Sequence, residues 1–343
     1  MKPADQMLNI DFFGVKDGDQ KYLTKRLPNG RFGFYTEHLT SRTISKIENI
    51  ENLEIISVFI NSELNSANLS KFPKLKYIVT RSTGYDHIDL AYCKKKGILV
   101  SNVPNYGQNT VAEHAMALVL SISRRIPESI KRVREESFSP IGLTGFDLKD
   151  KVIGVIGTGS IGKCFIKMAL GFDARVIAYD AYPNLKTSKE MGFEYVKLDY
   201  LLAKSDVISL HVPYLKETHH IINRKAIAKM KDGVVLINTS RGGLVETDAL
   251  FDAIKTGKIS GVGLDVVEEE GFLAEELELL EDDRDKNVNF KIALENHLLA
   301  HLPNVIITPH NAFNSKEALE RILATTVENI MCYAKGDPIN LVK

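Results

Sequence analysis

Four segments of the sequence carry residue types whose spacing could do chemistry. The first is Gly157-Thr158-Gly159-Ser160-Ile161-Gly162, a G-x-G-x-x-G run. It follows the apolar segment KVIGVI and opens a helix-compatible stretch, Ile161 to Leu170. A further apolar segment, RVIAY, ends in Asp180, 18 residues after Gly162. Alone, the glycine run is a weak signal. A strand before it, a helix after it and an acid ending the next strand make the full dinucleotide-binding context. Gly157 permits the tight turn, Gly159 lets the backbone approach a pyrophosphate, and Gly162 allows close helix–strand packing. The pyrophosphate would rest on the free N–H groups and positive dipole end of the helix. Asp180 can accept hydrogen bonds from both ribose hydroxyls and would repel a 2′-phosphate. Ala181, Tyr182 and Pro183 provide no cation to hold one, which favours NAD over NADP. The other three segments each follow an apolar run: Asn238-Thr239-Ser240-Arg241-Gly242, Asp265 through Glu270, and Thr308-Pro309-His310-Asn311-Ala312-Phe313. An Arg, a Glu and a His at three strand ends would supply an anion clamp, an orienting carboxylate and an acid/base. Taken singly, such a His is more often a capping residue and such an Arg a surface one.

These segments need a scaffold of strands. Short, nearly continuous apolar runs alternate with helix-compatible segments, as in a parallel sheet covered on both faces. In the first third the strands are Leu8–Val15, Ile55–Ile60, Leu75–Thr80 and Ile98–Ser101. The pattern restarts with Lys151–Ile156, Arg175–Tyr179, Val207–His211, Val234–Asn238, Val262–Asp265 and Val305–Thr308, a second sheet of about six. Between them Asn109–Ile126 is the longest apolar helix, capped by Asn109, with Arg124 and Arg125 at its C-terminal end. It is apolar nearly all round and so should be buried, between domains or subunits. Residues 55–90 and 207–250 share a strand–loop–helix–strand pattern, either an internal repeat or convergent βαβ units. Gly271–Leu302 is acidic and helix-forming, an insertion on the rim whose charge run makes a solvated face.

The chain has 343 residues, enough for two domains, or three, at about 150 residues each. Lys+Arg and Asp+Glu are both 44, so the net charge is zero. That argues against a nucleic-acid or membrane-surface partner, which demands a basic excess, but not against a small anion. No apolar run approaches 18 residues, the length a membrane helix needs. Met1 to Asp5 begins no signal-peptide pattern. Cys93, Cys164 and Cys332 form no CxxC and read as reduced thiols in a cytoplasmic protein. No metal is expected.

The residues then resemble a known family over nearly the whole chain. The motifs are RSTGYDHIDL (81–90), VPNYGQNTVAEH (103–114), VIGVIGTGSIG (152–162), SDVISLHVPYLKETHHIIN (205–223), LINTSRGGLVETDAL (236–250), GLDVVEEE (263–270) and ITPHNAF (307–313). Together they are similar to the D-2-hydroxyacid dehydrogenases, and among the subgroups to D-lactate dehydrogenases. The resemblance implies two Rossmann/flavodoxin-like, doubly wound parallel-sheet α/β domains with the active site in the cleft between them. A discontinuous substrate domain would comprise 1–106 and 309–343, and an NAD domain 107–308. It implies a homodimer joined through the NAD domain, with the 109–126 region contributing.

Site roles follow from the same resemblance. Arg241 would bind the substrate carboxylate and polarise the carbonyl. His310 would be the acid/base, and Glu270 would orient it and raise its pKa. Ser82, Thr83 and Gly84 would offer backbone N–H groups to the carboxylate. Tyr106 and Phe313 would line the side-chain pocket. Asp265 would meet the nicotinamide end, and Val212, Pro213 and Thr239 would pack along the cofactor. The expected reaction is reversible hydride transfer between NADH and pyruvate, giving D-lactate. Other 2-oxo acids (2-oxoisocaproate, phenylpyruvate, hydroxypyruvate, glyoxylate) stay open, because a methylene in an apolar pocket is worth only about 1–3 kcal/mol. An NAD(H)-sensing, corepressor-like binding protein is the alternative of another class. Two positions depart from the family pattern, Ser240 where Ala is common and Val267 where an aromatic is common. Neither falls on an expected catalytic atom. Gly271 and a long acidic stretch follow Glu270, where many glycerate and hydroxypyruvate enzymes have Pro and a shorter connection.

Overall fold

A computed structural model of the chain describes residues 7–16, 18–268 and 290–342. It divides into two compact units. One runs to Tyr106 and resumes at Ser315; the other is Gly107–Asn314.

The first unit holds five parallel strands: β1 (Leu8–Phe13), β2 (Gly30–Tyr35), β3 (Ile55–Val58), β4 (Tyr77–Thr80) and β5 (Leu99–Ser101). Their order is β2-β1-β3-β4-β5, the flavodoxin-like winding. Both faces are buried, which is why the strands read as continuous apolar runs. Phe13, Ile56, Val58, Ile78 and Val100 enter one core. Ile10, Phe12, Ile55, Tyr77 and Val79 enter the other, against Leu323 and Ile330 of the helix Lys316–Ala334. Strand β2 was not among the expected strands. Its sequence, GRFGFY, is only half-buried on an edge, and its glycines have a packing cause. A Cβ on Gly33 would lie 2.3 Å from Asp11 Oδ1, and one on Gly30 2.4 Å from the Leu8 carbonyl oxygen.

The second unit holds β6 (Val152–Ile156), β7 (Arg175–Tyr179), β8 (Glu194–Tyr195), β9 (Val207–Leu210), β10 (Val234–Asn238), β11 (Ile259–Leu264) and β12 (Val305–Ile307). The order β12-β11-β10-β9-β6-β7-β8 is all parallel and reverses direction between β6 and β9. The sheet has seven strands where six were expected. The extra one, β8, is a two-residue edge strand paired to Ile177 and Ala178, too short to leave a periodic pattern.

The long helix spans Gln108–Ser123 and buries Ala112, Ala115, Met116, Leu118 and Val119. Its N-cap is Gly107, not the expected Asn109, which lies inside the first turn and donates to Glu113. It also stops earlier than expected. Arg125 adopts a left-handed φ of 51°, and a second helix, Ile126–Arg134, begins. The segment expected to be a rim insertion ends in the helix Phe290–Ala300, one side of which packs inward, while its charge run lies outside the described residues. Leu299 is fully buried in the core and Asn296 nearly so. Residues 271–289 of that segment lie outside the described residues. The unit also extends to Asn314, past the expected boundary at 309, because the turn after β12 is bonded to Asp265 at the end of β11.

Candidate active site

In an open parallel sheet, ligands bind outside the carboxyl ends of the strands, at the point where the order reverses. Along that rim of the second unit the sheet order sets the residues in sequence. Asp180 follows β7, the glycine loop follows β6, and His211, Val212 and Pro213 follow β9. Thr239 and Arg241 follow β10, Asp265 follows β11, and His310 follows β12. From β7 to β11 is four strand spacings, on the order of 19 Å, the scale of an extended dinucleotide.

The glycine loop fits such a ligand. Gly157 has φ 97°, and a Cβ there would lie 2.5 Å from the His211 carbonyl oxygen. A Cβ on Gly162 would lie 2.1 Å from the Gly157 carbonyl oxygen, whereas one on Gly159 would meet nothing within 4 Å. Gly157 and Gly162 are thus fixed by the protein's own packing, while the room over Gly159 is left for something else. The helix Ser160–Gly171 starts at Gly159 without a side-chain cap, so its first amides remain for an external anion. Ile161 is half-buried against the core. Asp180 Oδ2 accepts from the Thr158 N–H and hydroxyl, both at 2.7 Å, and Oδ1 accepts from the Tyr182 N–H. Burial opposes ionisation of Asp180, but these hydrogen bonds outweigh it and hold its carboxyl below the usual range. Asp180 therefore braces the loop. Val212 is half-buried and Pro213 exposed, and the Thr239 hydroxyl is buried with no hydrogen-bond partner among the described residues. Burial pushes the neighbouring His211 down to about 3, so its ring is neutral; Nε2 pairs with Ser209 Oγ.

Arg241 sits on a short turn held by Asn238, a fully buried side chain with no expected role. Asn238 Nδ2 donates to the Arg241 carbonyl at 2.8 Å, and its Oδ1 accepts from the Ser240 N–H at 3.0 Å. Ser240 Oγ donates to the Leu210 carbonyl, a bond that alanine, common in the family here, would lack. The Arg241 guanidinium donates to the Ser240 carbonyl.

Asp265 has a fully buried side chain. It accepts from the Asn311 and Ala312 N–H groups, both at 2.8 Å, and from the Thr308 hydroxyl; His114 Nε2 lies 3.4 Å away. These donors outweigh burial, which alone would raise its pKa, and keep the carboxyl below the usual range. They close a turn in which His310 takes a left-handed φ of 48°, its N–H donating to the Asp265 and Thr308 carbonyls. The structure thus engages Asp265 with the His310 turn. His114 stands in a quoted motif but carried no expected role; it also bonds Thr308 Oγ1 at 3.0 Å. Glu270 lies outside the described residues. Glu268, just before it, pairs with His220 at 2.6 Å and accepts from the Thr247 N–H and hydroxyl.

In the first unit, Ser82, Thr83 and Gly84 follow β4 at the carboxyl rim of the five-stranded sheet. Their side chains and carbonyls are tied down. Ser82 Oγ donates to the Gly84 carbonyl, Thr83 Oγ1 to the Val103 carbonyl, and Asn102 Nδ2 to the Thr83 carbonyl. Their three N–H groups donate to no acceptor among the described residues. Tyr106 is half-buried and its carbonyl accepts from Arg321; Phe313, in the other unit, is also half-buried.

The sequence model described as "D-isomer specific 2-hydroxyacid dehydrogenase, NAD binding domain" matches residues 116–312. The chain is 36% identical over 333 residues to the D-lactate dehydrogenase of Escherichia coli (strain K12), covering 96% of this chain and 98% of that one. It is 37% identical over 304 residues to the glyoxylate reductase of Thermococcus litoralis, covering 86% and 85%. Among solved structures, D-lactate dehydrogenase from Aquifex aeolicus, complexed with NAD and lactic acid, matches at 43% identity with a TM-score of 0.84, covering 96% of each chain.

Proposed function

Because the chain belongs to the D-isomer-specific 2-hydroxyacid dehydrogenase family and carries its NAD-binding domain, we propose that it is a D-lactate dehydrogenase that interconverts pyruvate and D-lactate. The observation that carries the proposal is the placement of Arg241 and His310 after β10 and β12, either side of Asp265 after β11, on the same sheet rim as the glycine loop. The nicotinamide, when bound, supplies and accepts the hydride. The remaining work falls to the chain itself. Arg241, a planar fork of donors, takes the substrate carboxylate and polarises the 2-oxo group. The free N–H groups of Ser82, Thr83 and Gly84 take the same carboxylate. His310 donates a proton to the carbonyl oxygen in reduction and removes it in oxidation, with Glu270 as its carboxylate partner. Tyr106 and Phe313 enclose the methyl group. Fixing these groups before reaction removes orientational entropy from the barrier.

We further assign a homodimer contact to the NAD-binding unit. Ile126, Ile130 and Val133 are 44%, 47% and 48% exposed along one helix, and Phe138 and Ile141 beyond it are 85% and 82% exposed. Apolar exposure on that scale is unusual for a surface left in water. Light scattering of the purified chain should give twice its mass, and a monomer would refute the contact.

The decisive experiment is a panel of 2-oxo acids with NADH and NADPH, with product chirality determined. Highest kcat/KM for pyruvate with NADH, giving D-lactate, is expected. A maximum for glyoxylate or hydroxypyruvate would replace D-lactate dehydrogenase by another activity of the family. No turnover with any acid would favour a binding protein.

A further inference from the structure

Arg81 is 3% exposed, deep at the carboxyl rim of the five-stranded sheet, directly before Ser82. Its backbone N–H donates to the Val58 carbonyl at 2.8 Å. Its guanidinium reaches across two neighbouring strand ends. One nitrogen donates to Ser57 Oγ at 3.2 Å and lies 3.4 Å from the Ser57 carbonyl; the other donates to the Phe13 and Gly14 carbonyls at 2.5 and 2.8 Å. All its partners among the described residues are neutral oxygens. Among the described residues no carboxylate pairs with it, and Asp19 acts on it only from a distance. Burial pushes its pKa down to about 10, so it is still a cation at neutral pH. Its field is felt by its neighbours: after burial, the charge of Arg81 is what lowers the pKa of His38.

A buried cation without a counter-ion is strongly unfavourable unless something negative offsets it. Neutral donors such as asparagine would suffice to tie three strands together. The carboxyl rim of a parallel sheet is lined with carbonyl oxygens and would repel an anion. Arg81 covers three of those oxygens with positive charge. Immediately beyond it lie the three unpaired N–H groups of Ser82, Thr83 and Gly84.

Taking the chain as a 2-oxo acid reductase, we propose that Arg81 is a positioning residue that also supplies the buried positive charge behind the Ser82–Gly84 amides, making this rim selective for a carboxylate. Arg81 does not touch the substrate. It fixes the loop through the Phe13, Gly14 and Ser57 oxygens and lowers the energy of an anion seated on the amides.

The test compares pyruvate with its uncharged methyl ester, using the full chain and NADH. Arg81→Met removes charge and donors; Arg81→Gln removes the charge and keeps two amide donors; Arg81→Lys keeps a charge. Arg81→Met and Arg81→Gln should lower kcat/KM for pyruvate at least tenfold, mostly through KM. The ester should change less than threefold and the Kd for NADH should stay the same. Arg81→Lys should recover part of the preference for the acid. If Arg81→Met does not fold, Arg81→Gln carries the same comparison. An equal loss on acid and ester would make Arg81 a structural tie only, and unchanged kinetics would remove it altogether; either overturns the proposal. The parent assignment is tested separately by the wild type. If the unmodified protein does not prefer the acid over its ester, the carboxylate site itself is wrong, whatever Arg81 does.

Discussion

Replacing Asp265 by asparagine removes one charge and one acceptor from the turn that carries His310. The native Oδ1 accepts from the Asn311 N–H and the Thr308 hydroxyl, and Oδ2 from the Ala312 N–H. An asparagine oxygen can serve the first pair. Its NH2 then faces the Ala312 N–H, donor against donor. An orphaned buried N–H costs about 1–3 kcal/mol, and loss of charge assistance in the two surviving bonds about 1 kcal/mol more. The sum, about 2–4 kcal/mol, exceeds the roughly 1–2 kcal/mol by which the left-handed conformation of His310 is disfavoured. The turn should therefore relax, and kcat/KM for pyruvate should fall about 30- to 900-fold at 1.36 kcal/mol per decade. Stopped-flow NADH binding and steady-state kinetics check this together. The Kd for NADH should move less than threefold, since the carboxylate is engaged internally. A tenfold weaker Kd with unchanged kcat would refute the reasoning and make Asp265 a cofactor contact. The pH dependence has a definite sign. The folded-state pKa of Asp265 is depressed, so its stabilisation is present above the unfolded value of about 3.9. It is lost as pH falls through the folded pKa. Wild type and variant should thus converge in stability in acid and differ most near neutrality.

Three other perturbations have equally direct outcomes. Gly159→Ala should fold normally, because nothing lies within 4 Å of the new Cβ, yet lose at least tenfold in NADH affinity; Gly162→Ala, meeting the Gly157 carbonyl at 2.1 Å, should lower thermal stability as well. Equal melting temperatures for the two would contradict the packing. Arg241→Lys loses the bidentate fork, worth about 2 kcal/mol, and should weaken pyruvate roughly 30-fold with NADH binding intact; unaltered pyruvate kinetics would remove the clamp. Asp180→Ala should raise the NADPH-to-NADH ratio of kcat/KM at least tenfold. Because Asp180 also braces Thr158, it should weaken NADH too; a rise in NADPH use with full NADH affinity would show that the brace is dispensable.

The rim from β6 to β7 was legible because local chemistry and tertiary position coincide there. A glycine run between an apolar strand and a helix, with an acid ending the next strand, has one physical use. Elsewhere the determinants were not local. Strand β2 hides behind glycines that only Leu8 and Asp11, packed across the sheet, require. The Asn238 clamp and the His114–Thr308–Asp265 cluster join residues that periodicity cannot relate. The break between Ser123 and Ile126 falls at the two arginines expected near the helix end, where Arg125 turns left-handed. Arg81 opens the motif RSTGYDHIDL but carried no expected role. Its burial depends on Phe13, Gly14 and Ser57, which only the folded sheet brings alongside.

The first unit is built from both flanks of the second, and this bears on how the chain is made. The face formed by Ile10, Phe12, Ile55, Tyr77 and Val79 is covered by Leu323 and Ile330, and the Tyr77 ring stacks on Tyr333 with centroids 4.1 Å apart. On the ribosome those five side chains emerge first, but their cover comes only after all of Gly107–Asn314. At ~5–20 residues per second the wait is on the order of 10 to 40 seconds. The contiguous unit can complete its own sheet in that interval, so the unit begun first is finished last. Its apolar face is the surface a chaperone would meet on the nascent chain.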